Sequence, residues 1–174
     1  MKVVIASDKF KGSLSSEQVA AAIEEGIIAA MPDCEIDKLH VADGGDGTAA
    51  SIVESTGGVW INVKSEDPLG RQVDARFGAV ESRTAVIDVA TASGIALLRP
   101  DEYDPLNATT KGTGILIREA IDRGFRNFNI GVGGSATNDA GTGLLSALGY
   151  RFLDARGNEL EPCGRSLSRI AEID

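Results

Sequence analysis

Where the glycines fall constrains this chain more than any other feature of its sequence. Twenty-one of the 174 residues are glycine, against a usual share of ~7%. Most of the surplus sits in short loops that follow an apolar run or precede a helical pattern. Val3-Val4-Ile5-Ala6 reads as a buried strand, and Ser15 with Gln18 three residues later supplies a capping signature. Behind it Val19, Ile23, Ile27 and Met31 recur at helical spacing until Pro32 ends the helix. Ile36 to Val41 returns to a strand. A second helix can run from Asp46 to about Thr56, where Gly57-Gly58 stops it. This β-α-β-α order is the signature of a parallel sheet with helices on its faces.

Near residue 58 the rhythm changes. Val59, Ile61 and Val63 alternate with outward positions, as do Val73, Ala75 and Phe77, and Asp67-Pro68-Leu69-Gly70 forms the turn between them. Ala85-Val86-Ile87-Asp88-Val89 completes an expected antiparallel meander. Helical spacing returns at Ile115, Leu116, Ile117, Ala120 and Ile121, closed by Gly124. A strand from Phe128 to Val132, a glycine loop, a short helix from Gly141 to Leu148 and a strand from Tyr150 to Leu153 follow. The expected fold class is α/β, with parallel Rossmann-like layers and an antiparallel meander. The expected organisation is residues 1–58 as the first part of one α/β domain and 59–174 as a second α/β region. The final Ile170 to Asp174 has no cap and reads as an abrupt end.

Composition removes several functions. With 17 Lys+Arg against 26 Asp+Glu the net charge is −9, and the acids are spread along the chain, which disfavours a nucleic-acid footprint. No apolar run approaches the ~20 residues of a membrane helix, and the opening run is too short for a secretory signal. Cys34 and Cys163 form no C-x-x-C pair and suit a reducing compartment, so a cytoplasmic setting is expected. His40 is the one histidine, which leaves His/Cys zinc sites without ligands. No G-x-S-x-G elbow presents a serine. Acid–base chemistry therefore falls to carboxylates and lysines.

Four loops hold those groups, each beside a strand end or a helix start, where ligands of parallel α/β sheets bind. Ser7-Asp8-Lys9-Phe10-Lys11-Gly12-Ser13 offers two cations and a carboxylate before a helix start that favours anions. Its plain alternative is a βα loop capped by Ser13 or Ser15. Asp43-Gly44-Gly45-Asp46-Gly47-Thr48 places two carboxylates three residues apart, suited to Mg²⁺ shared with phosphates or to a base for a substrate hydroxyl. Its plain alternative is a turn with Asp46 as helix cap. Asn107-Ala108-Thr109-Thr110-Lys111-Gly112-Thr113-Gly114 opens a helix with hydroxyls and a lysine, with Thr110 or Thr113 as a simple cap otherwise. Gly131-Val132-Gly133-Gly134-Ser135-Ala136-Thr137-Asn138-Asp139 fits an Ala-ended dinucleotide fingerprint with Asp154 as the ribose acid, and equally a phosphate or substrate cradle. No G-x-x-x-x-G-K-[ST] loop is present, so an ATP site must be of another kind. These parts point to small-molecule phosphoryl transfer, with NAD-dependent redox second.

At these residues the sequence resembles the type I glycerate kinase family. The resemblance rests on Val4 to Leu14, Ala42 to Thr48, Ala108 to Gly114, Gly131 to Asp139 and Pro68-Leu69-Gly70-Arg71. It implies ATP-dependent phosphorylation of a glycerate hydroxyl and a two-domain architecture with a flavodoxin-like domain, whose first part would be residues 1–58. Asp46 stands where the family often has Glu, and Lys111 where an aromatic is common. Family members are roughly twice this long, so the chain corresponds to the N-terminal half and its fold is incomplete by comparison. The partner left open is a second copy or the missing C-terminal half. The competing reading is a non-catalytic fragment that binds a metabolite or a partner half.

The resemblance carries roles onto this sequence as expectations. Asp43 and Asp46 serve as Mg²⁺ ligands or general base, with Lys11 as a third catalytic group. Asp8, Lys11, Ser13, Thr110 and Thr113 hold the substrate, with Lys11 and Ser13 on the glycerate carboxylate or the transferring phosphate. Gly133, Gly134, Ser135, Asn138 and Asp139 cradle phosphate or nucleotide.

Overall fold

The computed structural model describes residues 1–8, 10, 13–40, 44–45, 47–81 and 83–174. They fall into two compact units, Met1–Asp43 and Gly44–Asp174. The break thus comes ahead of the second helix rather than near residue 58. The reason is packing: that helix buries its apolar side on strands of the second unit.

In the first unit, β1 (Lys2–Ser7) and β2 (Glu35–His40) pair in parallel, Lys2 opposite Glu35 through Ser7 opposite His40. The crossover is α1 (Ser16–Ala30). Ser15 starts it as the sequence predicts: its Oγ accepts from the Gln18 N–H at 3.2 Å, and the Gln18 side chain accepts from the Ser15 N–H at 2.9 Å. Met31 caps the other end and Pro32 follows. Ile5, Val19 and Ala20 are buried. The predicted stripe is only partly covered, since Ile23 and Met31 stay exposed. Two strands make a narrow sheet, and residues of its other face, such as Val4 and Leu39, are 53% and 57% exposed.

The second unit is a three-layer α/β/α body. Its sheet has the order β3 (Val59–Glu66), β4 (Gln72–Val80), β5 (Thr84–Asp88), β6 (Asn127–Gly131). The first three strands are the antiparallel meander, and β5 and β6 are parallel. Period-2 alternation along β5 sorts the layers. Val86 faces α2 (Thr48–Thr56), with Ala49, Val53 and Val80. Ala85 and Ile87 join Phe77, Leu116, Ile117 and Ala120 on the other side, under α4 (Lys111–Asp122), which follows the short α3 (Ala90–Ser93). Phe77 and Phe125 close that core edge to face, 5.5 Å apart.

After β6 come the glycine loop, α5 (Thr142–Ala147) and a small hairpin of β7 (Phe152–Leu153) and β8 (Glu172–Ile173). The tail read as an abrupt end therefore pairs with β7, reinforced by an Arg151–Asp174 ion pair. α4 begins four residues before the first apolar position of its predicted pattern. The strand predicted from Tyr150 shortens to two residues.

Candidate functional site

β5 and β6 run in parallel, and their final residues, Asp88 and Gly131, lie opposite each other. The Asp88 side chain is buried, 6% exposed, yet it ends an apolar strand. Its carboxylate accepts from the Gly47 N–H at 2.9 Å and the Ala49 N–H at 3.0 Å. Gly47 is the N-cap of α2, with φ +98°, and has no side chain to satisfy the first-turn amides. Asp88, about forty residues further along the chain, does so instead. Thr48 Oγ1, in the same turn, is buried and has no hydrogen-bond partner among the described residues.

The loop after β6 is pinned along one edge. Ile95 N–H donates to the Gly134 carbonyl at 2.8 Å, and Ala136 N–H donates to the Ser93 carbonyl at 2.9 Å. Ser135 Oγ lies 2.7 Å from Thr137 Oγ1 and accepts from the Thr137 N–H. The N–H groups of Gly133, Gly134 and Ser135 donate no hydrogen bond among the described residues. They are free backbone donors at the carboxyl end of a parallel strand, the kind of group that receives anions. Asn138 is exposed at the end of the same loop.

Asp139 has a different place from the rest of that loop. It is 2% exposed and clamps two helix starts. Its Oδ2 accepts from Thr110 N–H and Thr110 Oγ1, both at 2.8 Å, and from Gly143 N–H at 3.0 Å. Its Oδ1 accepts from Gly141 N–H at 3.1 Å. Thr110 Oγ1 in turn accepts from Leu144 N–H at 2.9 Å. Thr110, the N-cap of α4, and Gly141, the N-cap of α5, make no capping bond of their own. The partial positive charge at both helix starts is met by one carboxylate. Asp139 and Thr110, both expected at the ligand, are therefore brought together as a buried joint and face each other.

Thr113 lies in the interior. Its Oγ1 is 2.7 Å from Ser93 Oγ and donates to the Val89 carbonyl, and it has no exposed surface to offer glycerate. Thr109 and Lys111 do line an open cleft of about 610 Å³ with Glu66, Leu69, Glu161 and Arg165. Lys111 Nζ is paired there with Glu66 at 3.0 Å. The Pro68 to Arg71 turn is held from within: Asp67 accepts from the Leu69 and Arg71 N–H groups, and Arg71 also pairs with Glu102. That guanidinium holds the Glu102 carboxyl below its ordinary range.

Asp8 and Ser13 belong to the first unit and are exposed, Ser13 Oγ donating to the Phe10 carbonyl at 3.1 Å. Lys9, Lys11, Asp43 and Asp46 lie outside the described residues. Asp154 is engaged in its own turn. It accepts from Arg156 N–H, Asn158 N–H and the Asn158 side chain, and the Asn158 amide above all holds its carboxyl below the usual aspartate range. Sequence reasoning passed over Asp88. An acid closing the apolar run 85–88 at a strand's carboxyl end was the available signal, under the same rule that singled out the four loops.

The family model described as the glycerate kinase family matches residues 3–174. The chain belongs to the glycerate kinase family. It is 49% identical to the glycerate kinase of Bacillus subtilis strain 168 and 44% identical to the glycerate 2-kinase of Escherichia coli K12. In both cases all of this chain is covered, and 46% of the relative. A crystal structure of a Salmonella typhimurium LT2 protein, provisionally named glycerate kinase 2, superposes with a TM-score of 0.79 at 47% identity. It covers all of this chain and 47% of that one. The chain thus spans about half the length of the curated relatives it matches, and its mixed parallel and antiparallel fold is part of a larger one. Among the described residues no helix is long and apolar enough to cross a membrane.

Proposed function

We propose that this chain carries the N-terminal part of an ATP-dependent kinase that phosphorylates a hydroxyl of D-glycerate. Membership of the glycerate kinase family over residues 3–174 carries the reading. The free N–H groups of Gly133, Gly134 and Ser135 support it as an anion cradle. The starts of α2, α4 and α5, by contrast, already hold an internal carboxylate. In this reading Gly133, Gly134, Ser135 and Asn138 receive phosphate, Asp8, Lys11 and Ser13 hold glycerate, and Asp43 or Asp46 takes the hydroxyl proton. The reading also sets the protein in the cytoplasm, where two free thiols are stable.

Magnesium suits the side-chain donors of the Asp43–Thr48 segment, which are oxygens throughout: two carboxylates and the Thr48 hydroxyl, which has no hydrogen-bond partner among the described residues. Among the described residues no cluster of three His, Cys, Asp or Glu forms a metal site. A kinase cation needs only one or two carboxylates besides the phosphates. Bound there, it would supply positive charge to the phosphate oxygens.

The test is to incubate the chain with MgATP and D-glycerate and follow the mixture by ³¹P NMR. A new phosphomonoester resonance with matching ADP is expected, and its identity assigns the hydroxyl. Silence that ends when the C-terminal half of a relative is added would mean that the site needs both halves. Silence in both settings would sink the kinase reading and favour the non-catalytic one, to which the half-length coverage lends its weight.

A further inference from the structure

Asp88 has no part in the reaction read so far, yet it is the buried acid nearest in the fold to the start of α2. Local sequence gives that helix no cap, because its N-cap is Gly47. Two amides at that start, the N-cap's own at Gly47 and the second helical one at Ala49, both donate to Asp88. The glycine-rich segment that ends in Thr48 is therefore tied to the carboxyl end of β5. Gly131 makes the tie sterically possible. A Cβ there would lie 2.4 Å from Asp88 Oδ1, 3.1 Å from the Gly45 carbonyl and 3.3 Å from Thr48 Cβ. Three segments, the ends of β5 and β6 and the start of α2, thus meet at a point where no side-chain carbon fits on β6.

We propose that Asp88 is a positioning residue for the start of α2, with Gly131 as its steric counterpart. It sets where Gly47 and Thr48 enter the helix, directly after Asp46 in sequence, one of the two acids to which the proposed reaction gives the hydroxyl proton. The chemistry of a carboxylate is what the position demands, because it accepts from two converging N–H groups at the positive end of a helix. An amide can accept on one side only. The functional part of this inference rests on the glycerate kinase reading; the tie itself does not.

Asp88→Asn and Gly131→Ala separate the two. Amide hydrogen exchange is followed on the chain without ligand. In both variants the Gly47 and Ala49 amides are expected to exchange at least about ten-fold faster, while Val86 and Ile87 in β5 change by less than about three-fold. Unchanged protection at Gly47 and Ala49 in Asp88→Asn overturns the proposal. So does an equal loss of protection across β5, which marks a general loss of stability.

Turnover of glycerate and MgATP is measured on the same samples, with the complementary half added where the wild type requires it. A fall in kcat of about 100-fold with KM within about three-fold is expected from a displaced catalytic segment. A rise in KM at unchanged kcat would place Asp88 against a ligand and overturn the positioning role. A wild type without turnover in either setting defeats the kinase reading alone, and the exchange result then decides the tie.

Discussion

Replacing Asp139 by alanine should be among the most damaging single changes in the second unit. The carboxylate is 2% exposed and accepts from three backbone N–H groups and a hydroxyl. Each buried amide left without a partner costs about 1–3 kcal/mol. The bonds share one carboxylate and do not add, so about 3–5 kcal/mol, the loss from two or so stranded donors, is the better guide. Against a total stability of about 5–15 kcal/mol this is a large fraction. At roughly 2–4 °C per kcal/mol it corresponds to a fall in Tm of about 6–20 °C. Asp139→Asn keeps the volume and one acceptor but turns an NH₂ toward donors, and should lose about half as much. Urea unfolding followed by circular dichroism gives both values. Asp74→Ala is the control, since Asp74 is 78% exposed in its pair with Lys64 and should cost less than about 1 kcal/mol. If Asp139→Ala costs no more than this control, water satisfies the helix starts as well as the carboxylate does, and the clamp is refuted.

Other expectations follow from the same geometry. Alanine at Asp43 or Asp46 should lower kcat far more than it raises KM, by about 100-fold or more for a catalytic base; an effect confined to KM would remove that role. Thr113→Val keeps the shape but strands Ser93 Oγ, and should cost about 1–2 kcal/mol in the same urea assay. Equal stability would mean that Ser93 re-pairs. Asp154 is held below its ordinary pKa by Asn158, so its contribution is complete above the unfolded value near 3.8 and is lost as pH falls through the lower folded value. An NMR titration of its carboxyl should show the depressed midpoint, and Asn158→Ala should raise it; no rise would clear Asn158 of the effect.

The local parts of this fold were readable. Ser15 and Gln18 announce α1, Pro32 its end, and the alternation from Val59 to Val89 the meander, because each signal lies within a few residues of what it controls. What escaped was carried over distance. The starts of α2 and α4 are satisfied by Asp88 and Asp139 from distant parts of the chain, so their own N-cap residues make no capping bond; at α5 the same Asp139 is local, two residues before Gly141. Thr110, Thr113 and Asp139 looked like ligand groups because hydroxyls and acids at a helix start serve an anion or a buried joint equally well. Only packing tells the two apart. The composition of the Gly133–Asn138 loop, by contrast, described its free amides well, since glycine leaves the backbone as the sole chemistry available. The change of rhythm at residue 58 marked a change of strand pairing, whereas the compact units divide where α2 finds its packing partners.

Borrowed caps also impose an order of events. A nine-residue helix is too short to persist alone in water, and α2 begins at a glycine that offers it no start. Its first turn becomes favourable only when β5 presents Asp88 and the face formed by Val80 and Val86. During synthesis, therefore, residues 48–56 wait for some thirty more to emerge before they can wind, while α1, with its own box at Ser15, need not wait. The start of α2 at Gly47 and Thr48 takes its final geometry late, as the meander closes rather than as the chain first appears.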